Sequence, residues 1–263
     1  DCVTQAELDA AVVNLAAAVV TFQGELVQDV NPDALVAHWL FNGDGADASG
    51  NGHDGVASAG HAEHGAGTPL IATDRHGNDA FCFQFMNGAN FVVANSPAFN
   101  PEEMTIMVWM KLSETWAHNY WFSNDIWHSW KFQVQDANKP FFTRHVMRNG
   151  EEAYIDRDTD AGILQNDTWT HVAMTFKSGE MKFYLDGEMV VEWTGDDLTG
   201  TGIAPHDGID LCIGQALPTD DYSADPEDPH AWKEWTGYFK GYLDDLRFYN
   251  EVLTGPQIKV MYD

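Results

Sequence analysis

The sequence predicts an all-β protein, a sandwich of two antiparallel sheets preceded by one N-terminal α-helix. From Leu35 onward, short runs of alternating apolar and polar residues are separated by turn residues, which is the pattern of a β-sandwich. The segment from Thr168 to Trp193 contains three such runs, interrupted by Lys177–Glu180 and by Asp186-Gly187. Because an Asp-Gly pair between apolar runs favours a tight turn, this segment is predicted to be a three-stranded antiparallel meander.

Residues 4–27 have a different pattern. Apolar side chains recur at alternating spacings of four and three, at Leu8, Val12, Leu15, Val19, Phe22 and Leu26. This heptad spacing predicts an amphipathic helix that begins at a capping box of Thr4 and Glu7. We therefore divide the chain into residues 1–33, an N-terminal helix and possible oligomerisation segment, and residues 34–263, the sandwich. The helix either associates with copies of itself or packs on its own sandwich.

Further strands and loops are predicted along the sandwich. Val36–Phe41 and Met104–Leu112 have the alternation of strands, whereas the Gly, Asp and Asn residues between Asn42 and Gly60 predict a loop. The acidic run from Asp156 to Asp167 has alternating carboxylates but lacks the glycine position, the final Glu and the flanking helices of an EF-hand. We interpret that run as a solvated loop.

Several of these segments resemble a known family. The order Trp-Thr-His-Val, apolar strand, Ser-Gly turn and Phe-Tyr-Leu-Asp-Gly within Thr168–Trp193 is similar to the central hairpin of laminin-G-like and pentraxin-like domains. Leu35–Gly55, Phe83–Leu112 and Phe239–Ile258 resemble the first strand, the second to fourth strands and the closing strand of that family. The resemblance implies a concanavalin-A-like jelly roll from about Leu35 to the C-terminus.

The composition restricts the partners and the setting. With 41 acidic and 13 basic residues, the formal net charge is -28, which repels phosphate backbones and argues against nucleic-acid binding. The sequence contains no run of eighteen apolar residues, so it predicts no membrane span. The chain starts at Asp1 without an initiator Met, as a secreted protein does after signal-peptide removal. We therefore expect an extracellular protein, either secreted or at the cell surface.

The three cysteines leave one without an obvious partner. Cys82 and Cys212 lie in strand-like segments and either pair with each other or remain as two thiols. Cys2 lies outside the sandwich, and the odd count suggests an intermolecular bond for it.

The first loop of the sandwich is a candidate calcium site. Asp44, Asp47, Ser49 and Asn51 lie among glycines, a mixed oxygen set that suits Ca²⁺. The adjacent carboxylates Asp244-Asp245 on the closing strand turn to opposite faces, and the inward one needs a cation or an arginine. The family resemblance implies Asp47, Ser49, Asn51 and Asp244 as the ligands. Two alternatives remain: Arg247 pairs with the carboxylate, or the polar loop residues only satisfy backbone amides.

Two aromatic segments are candidates for a ligand surface. Trp116–Trp130 contains four tryptophans, and Asp220–Trp235 is a second aromatic and acidic loop. Indole rings stack on the apolar faces of sugars while polar neighbours bind the hydroxyls. We predict that the ligand contacts Trp116, His118, Tyr120, Trp127, His128, Tyr222 and Trp232. Core packing is the alternative for the tryptophans, and it suits Trp109, Trp169 and Trp121 best. His61 and His64 are expected to be exposed loop histidines.

Catalysis is not expected, since the Glu-x-Asp-x-x-Glu strand of glycoside hydrolases with this fold is absent. The favoured function is a secreted, calcium-stabilised binding module that recognises carbohydrate, or another extracellular matrix ligand, in adhesion. The alternative is a structural subunit of an extracellular filament or surface assembly, joined through residues 4–27.

Overall fold

The computed structural model describes residues 29–233 and 236–263. In this part of the chain two antiparallel sheets of eight strands each enclose an apolar core, which confirms the predicted all-β sandwich. The helix predicted over residues 4–27, its seam for self-association and Cys2 lie outside the described residues.

The first sheet, sheet I, contains the closing strand of the fold. Its order is β13-β12-β11-β6-β16-β4-β3, and β1 also pairs with β16. Its strands are β1 (Leu35–Trp39), β3 (Leu70–Ala72), β4 (Cys82–Phe85), β6 (Met104–Leu112), β11 (Trp169–Lys177), β12 (Glu180–Leu185), β13 (Glu188–Thr194) and β16 (Gly241–Tyr249).

The second sheet, sheet II, has the order β10-β9-β8-β7-β15-β5-β2, and β14 pairs with β9. Its strands are β2 (Gly55–Ser58), β5 (Asn90–Val93), β7 (Asn119–Asn124), β8 (Trp130–Gln135), β9 (Lys139–Arg148), β10 (Glu151–Asp158), β14 (Thr201–Gly202) and β15 (Leu211–Ile213). Short 3₁₀ helices lie in the connections, at Pro32–Ala34, Ala62–His64, Pro97–Phe99, Asp136–Asn138, Asp196–Leu198 and Thr219–Asp221.

The predicted meander is confirmed as β11, β12 and β13, which pair in sequence. Asp186 and Gly187 both adopt positive φ, 49° and 79°, as the predicted two-residue turn between β12 and β13 requires. β6 has the predicted bounds. The prediction that the acidic run from Asp156 to Asp167 is a loop is partly wrong, because Asp156 and Asp158 lie in β10 and pair there with β9. The alternation in β10 is weak because Glu151 and Arg157 lie on the same face of the strand as the buried Ile155.

The core between the sheets is rich in aromatic side chains. Trp39, Trp121 and Trp130 are fully buried, and the Trp130 ring stacks on Phe248 of the opposite sheet at 5.7 Å between centroids. Burial of such large side chains contributes strongly to the stability of the fold. Trp121 is therefore a core residue, as the alternative expected, whereas Trp169 is only half-buried.

A C-terminal helix that the sequence analysis missed covers part of the outer face of sheet I. The helix, α1 (Gly255–Tyr262), begins at a capping box formed by Thr254 and Gln257. Its Ile258 is buried against Met107 and Tyr184 of sheet I. The sequence analysis places residues up to Ile258 in the closing strand, but that strand ends at Tyr249. No helix in the described part of the chain is long and apolar enough to cross a bilayer.

Cys82 and Cys212 are buried free thiols on different sheets. The Cys82 thiol donates to the Thr73 carbonyl at 3.1 Å. Of the two expectations, the structure therefore has two unpaired core thiols, and burial raises the pKa of both.

Candidate functional site

The outer face of sheet II carries a groove of ≈ 350 Å³. Its floor follows from the alternation of β8, in which Phe132 and Val134 point into the core while Lys131, Gln133 and Gln135 point outward. Neighbouring strands add outward-facing side chains to the same floor: Tyr120 of β7, Phe141 and Thr143 of β9 and Asp156 of β10. We call this cavity the sheet II groove.

Two loops wall the groove. The segment before β7 contributes His118, and the β7–β8 turn contributes Trp127. Both side chains are half-buried. Three of the residues predicted to contact a ligand, His118, Tyr120 and Trp127, therefore meet at one cavity. Tyr120 is only 2% exposed, so it reaches the groove from its floor.

Lys131 is the main charged group at the floor of the groove. Its Nζ lies 3.8 Å from the centroid of the Trp127 ring and 5.0 Å from that of Tyr120, and it donates to the Tyr120 hydroxyl at 3.4 Å. Burial lowers the pKa of Lys131 to about 7, and the Asp156 carboxylate opposes this shift only in part. The ammonium is thus held by aromatic faces and lacks an ion pair among the described residues.

The polar groups beside Lys131 supply acceptors. Gln133 Nε2 donates to the Ala117 carbonyl at 3.4 Å, and its buried Oε1 has no hydrogen-bond partner in the described structure. The Thr143 hydroxyl donates to Asp156 Oδ1 at 2.7 Å, which fixes that carboxylate at the rim. An unpaired buried acceptor costs about 1–3 kcal/mol, so a ligand hydroxyl that donates to Gln133 recovers this energy.

The other predicted ligand residues lie elsewhere. Trp116 packs on Tyr238 at 4.8 Å between ring centroids, with Lys240 Nζ 3.9 Å from the Trp116 centroid. Tyr222 and Trp232 instead surround the His61 ring, at 4.7 and 6.2 Å. Trp116, Tyr222 and Trp232 belong to a second aromatic cluster, in which Tyr238 and His64 connect them. None of the three lines the sheet II groove.

His64 belongs to that second cluster and corrects an expectation. It is 8% exposed, with Nδ1 2.8 Å from Gln215 Oε1 and Nε2 2.9 Å from the Thr236 carbonyl. The expectation of an exposed loop histidine was wrong for His64, because its ring packs against Tyr222, Trp232 and Tyr238 and both ring nitrogens have hydrogen-bond partners.

His128, the remaining predicted ligand residue, belongs to a cluster of three histidines and one aspartate. Asp125, His128, His206 and His230 each offer one ligand atom, and these atoms all lie within 4.8 Å of one another. Asp125 Oδ2 is 2.8 Å from His206 Nδ1, and Oδ1 is 2.9 Å from His230 Nε2. His128 Nδ1 lies 3.6 Å from Oδ1. We call this group the histidine cluster.

Three different loops build the histidine cluster. Asp125 and His128 lie in the tight β7–β8 turn, where Asp125 has φ 59° and its carbonyl accepts from the His128 and Ser129 amides. His206 comes from the β14–β15 loop, and His230 comes from the β15–β16 loop. Because Trp127 lies between Asp125 and His128, the cluster and the wall of the sheet II groove share one turn.

The electrostatics of the histidine cluster favour an ionised Asp125 and a neutral His128. Burial raises the pKa of Asp125, but hydrogen bonds from the His206 backbone and from the His230 and His206 side chains outweigh it and hold the pKa below its ordinary value. Burial also lowers the pKa of His128, and the neighbouring histidines add to this effect against the opposing Asp125. A carboxylate with neutral imidazoles is the state that binds a metal ion.

The loop predicted to hold calcium is organised by hydrogen bonds. Asp47 Oδ1 accepts from the His38 and Ser49 amides at 2.9 Å each, and Oδ2 accepts from the Ser49 hydroxyl at 2.8 Å and from the His53 amide at 3.0 Å. The side-chain amide of Asn51 donates through Nδ2 to the Leu35 and Val36 carbonyls. These contacts correspond to the alternative in which the loop side chains satisfy backbone groups.

Asp244 is paired with an arginine, and the arginine is Arg75, from the loop after β3. Arg247, the expected rival for this role, binds Asp245 instead, with Nε 2.9 Å from Oδ1. Burial raises the pKa of Asp244 to about 6, even though Arg75 opposes the shift. The neighbouring carboxylates Asp245 and Asp74 add to this rise in the pKa of Asp244. The predicted set of Asp47, Ser49, Asn51 and Asp244 as calcium ligands stays a prediction.

Sequence reasoning missed most of the groove floor and three of the four cluster residues. A signal existed for the floor, because Lys131, Gln133 and Gln135 alternate with core residues in β8. For the histidine cluster, only Asp125 and His128 are close in sequence. His206 and His230 are separated from Asp125 by 81 and 105 positions, so only the fold brings them together.

A family model described as "Concanavalin A-like lectin/glucanases superfamily" matches residues 86–259. The comparison with curated proteins gives no match. Among solved structures, domain 4 of AbnA, a GH43 extracellular arabinanase from Geobacillus stearothermophilus in complex with arabinotriose, is similar over 87% of this chain and 98% of its own. Its TM-score is 0.63, at 18% identity.

Two toxin domains have the same fold. The binding domain of Paraclostridial Mosquitocidal Protein 1 is matched over 88% of this chain and 52% of its own, with a TM-score of 0.60 and 15% identity. The ligand binding domain of botulinum neurotoxin serotype D, in complex with N-acetylneuraminic acid, is matched over 88% and 51%, with a TM-score of 0.57 and 15% identity. The chain spans about half the length of these two domains.

Proposed function

Because the chain belongs to the concanavalin A-like lectin/glucanases superfamily, we propose that it is a non-catalytic glycan-binding module whose binding site is the sheet II groove. The observation that carries this proposal is that a half-buried indole, Trp127, lies beside two buried polar side chains, Lys131 and Gln133. Among the described residues, Lys131 has no ion pair and Gln133 Oε1 has no hydrogen-bond partner. An apolar face beside fixed donors and acceptors is what a sugar ring requires.

Each groove residue has a role in this proposal. The sugar ring stacks on Trp127, its hydroxyls donate to Gln133 Oε1 and Asp156, and Lys131 Nζ donates to a ring or hydroxyl oxygen. The first of the similar structures contains arabinotriose and another contains N-acetylneuraminic acid, which supports carbohydrate as the ligand class. We further propose that the protein acts outside the cell, in adhesion to a surface or matrix.

The proposal is tested by applying the purified full chain, without a polyhistidine tag, to a glycan array that includes neutral and acidic oligosaccharides. We expect selective binding to a subset of related glycans that share a terminal or internal sugar. Binding to none of the glycans contradicts the proposal. A direct assay of the bound glycans for cleavage products tests the non-catalytic part, and release of reducing ends refutes it.

Calcium at the first loop remains part of the proposal. The support is the group of carboxylates at Asp244, where Asp245 and Asp74 add to the effect of burial in raising the pKa of Asp244 and where a bound cation would offset their repulsion. We expect calcium added to the EDTA-treated chain to raise the melting temperature by roughly 2–5 °C, and Asp244→Asn to remove that response. Calcium without effect on the wild-type melting temperature contradicts the assignment. Magnesium at equal concentration is the control for charge screening.

The alternative function we propose is a subunit of an extracellular assembly, joined by self-association through residues 4–27; the heptad spacing of the sequence supports it. We expect the full chain to elute from size exclusion as an oligomer and a chain starting at Ala34 to elute as a monomer, because the truncation removes the heptad seam. The shorter chain retains every described strand, so its circular dichroism should still show β structure. Equal monomeric sizes for both chains contradict the assembly.

A further inference from the structure

We propose that Asp125, His128, His206 and His230 bind one zinc ion. The proposal concerns a site separate from the calcium loop and does not depend on the glycan-binding proposal. It rests on the composition, the spacing and the surroundings of the histidine cluster.

The composition of the cluster selects the metal. Three imidazoles and one carboxylate are the ligands that Zn²⁺ takes in four-coordinate sites, whereas Ca²⁺ and Mg²⁺ require oxygen ligands. No cysteine thiol is among the four residues. The donor set is therefore suited to zinc and to neighbouring transition metals rather than to the calcium expected elsewhere in the chain.

The spacing of the ligand atoms suits one small ion. Zinc bonds of about 2.0–2.1 Å place the ligands of a tetrahedron about 3.4 Å apart. The distances from Asp125 oxygens to the nitrogens of His206, His230 and His128 are 2.8, 2.9 and 3.6 Å. These three distances lie on both sides of the expected 3.4 Å, and all four ligand atoms already lie within 4.8 Å of one another. Small side-chain shifts are therefore sufficient to form a tetrahedral site.

Hydrogen bonding alone leaves one member of the cluster unexplained. Asp125 binds two histidines, but the buried His128 Nδ1 has no hydrogen-bond partner among the described residues. The His128 ring nevertheless approaches that of His206 to 3.8 Å and that of His230 to 5.5 Å between centroids. A metal ion coordinated by His128 Nδ1 explains why this nitrogen points into the cluster.

A carboxylate outside the cluster orients one of the ligands. His230 presents Nε2 to the cluster, while its Nδ1 lies 3.3 Å from Asp228 Oδ1. Metal-bound histidines commonly donate through their other nitrogen to a carboxylate, which fixes the tautomer and raises the basicity of the ligand.

The site is open to solvent on one side. Asp125 lies at its base with a side chain 0% exposed, whereas His206 is 47% exposed. The ion therefore has an open route from solvent.

Zinc at this position joins three loops. It links the β7–β8 turn, which carries Trp127, to the β14–β15 loop and to the β15–β16 loop. The metal acts here as a structural tie that holds the wall of the sheet II groove. A cleft of ≈ 730 Å³ also borders the cluster at His128 and extends to Asp228 and Lys233.

The test is isothermal titration of zinc chloride into the EDTA-treated, untagged full chain, in excess magnesium to occupy surface carboxylates. We expect the titration to give one zinc per chain. In a separate thermal unfolding experiment, we expect zinc to raise the melting temperature by roughly 5 °C or more. His206→Gln, which changes an exposed ligand and should leave folding intact, is expected to weaken binding roughly 100-fold or more. Asp228→Asn should weaken it roughly 10-fold. His76→Gln, an exposed histidine away from the cluster, is the matched control and should not change the affinity.

Cobalt substitution provides a second readout. Bound Co²⁺ should show the strong visible absorption of a four-coordinate site, whereas ions on surface carboxylates stay octahedral and absorb weakly. Absence of stoichiometric zinc binding overturns the proposal, as does equal affinity of wild type and His206→Gln. Neither readout involves a glycan, so failure here and failure of the glycan array are distinguishable.

Discussion

Trp127→Ala is expected to weaken binding of the best glycan from the array roughly 30-fold or more, since aromatic residues at the centre of a binding site commonly contribute 2 kcal/mol or more. The substitution removes the stacking face and also the ring that covers Lys131 Nζ at 3.8 Å. Trp127→Phe retains an aromatic face and should recover part of the affinity. Titration calorimetry with the purified oligosaccharide measures both variants.

Trp169→Ala is the matched control for this experiment. Trp169 is also half-buried and has a lysine over its ring, with Lys111 Nζ at 5.2 Å, but it lies on sheet I. Its replacement should leave the affinity unchanged. If both tryptophan variants bind the glycan like the wild type, the sheet II groove is not the site.

Lys131→Met is expected to stabilise the protein while it weakens glycan binding. The ammonium of Lys131 is buried without an ion pair among the described residues. Desolvation of one buried ion costs several kcal/mol, so we expect its replacement by an apolar side chain of similar size to stabilise the protein by roughly 1–4 kcal/mol. The melting temperature should therefore rise by roughly 3–10 °C. Lys177→Met, on an exposed side chain, is the control and should change it little.

The stability gain of Lys131→Met depends on pH with a definite sign. The folded-state pKa of Lys131 is lowered to about 7, against roughly 10.4 in an unfolded chain. Between these values the unfolded chain binds the extra proton, so the stability of the wild type rises with pH. The variant lacks this group, and its advantage should be largest at pH 6 and smaller at pH 9.5. Urea unfolding at both pH values measures it, and an advantage that does not change contradicts the buried charge.

The sequence was sufficient for the fold wherever local patterns decide the structure. The meander of β11, β12 and β13 followed from alternation and from Asp186-Gly187, whose positive φ values only a few residue types accept readily. The helix α1 was missed because the resemblance to the family's closing strand was extended to Ile258, past the end of β16 at Tyr249. Its capping box at Thr254 and Gln257 was the available signal.

Site residues were harder to predict because their chemistry depends on neighbours distant in sequence. Trp127 and His118 were recognised as aromatic or polar loop residues, but Lys131 resembled any solvated lysine until burial and three aromatic rings gave it a role. The calcium loop has a composition that fits two roles: its oxygen groups suit a cation, and Asp47 also makes four hydrogen bonds that organise the loop. A polar loop with this composition serves either purpose.

The most direct test of the glycan site is a heteronuclear NMR titration of the ¹⁵N-labelled chain with the oligosaccharide identified on the array. The indole N–H resonances of Trp127 and Trp169 are assigned by their loss in the corresponding alanine variants. We expect the Trp127 resonance to shift in proportion to saturation while the Trp169 resonance stays in place. A glycan that binds and shifts other indole resonances but leaves that of Trp127 unchanged would contradict the assignment of the sheet II groove.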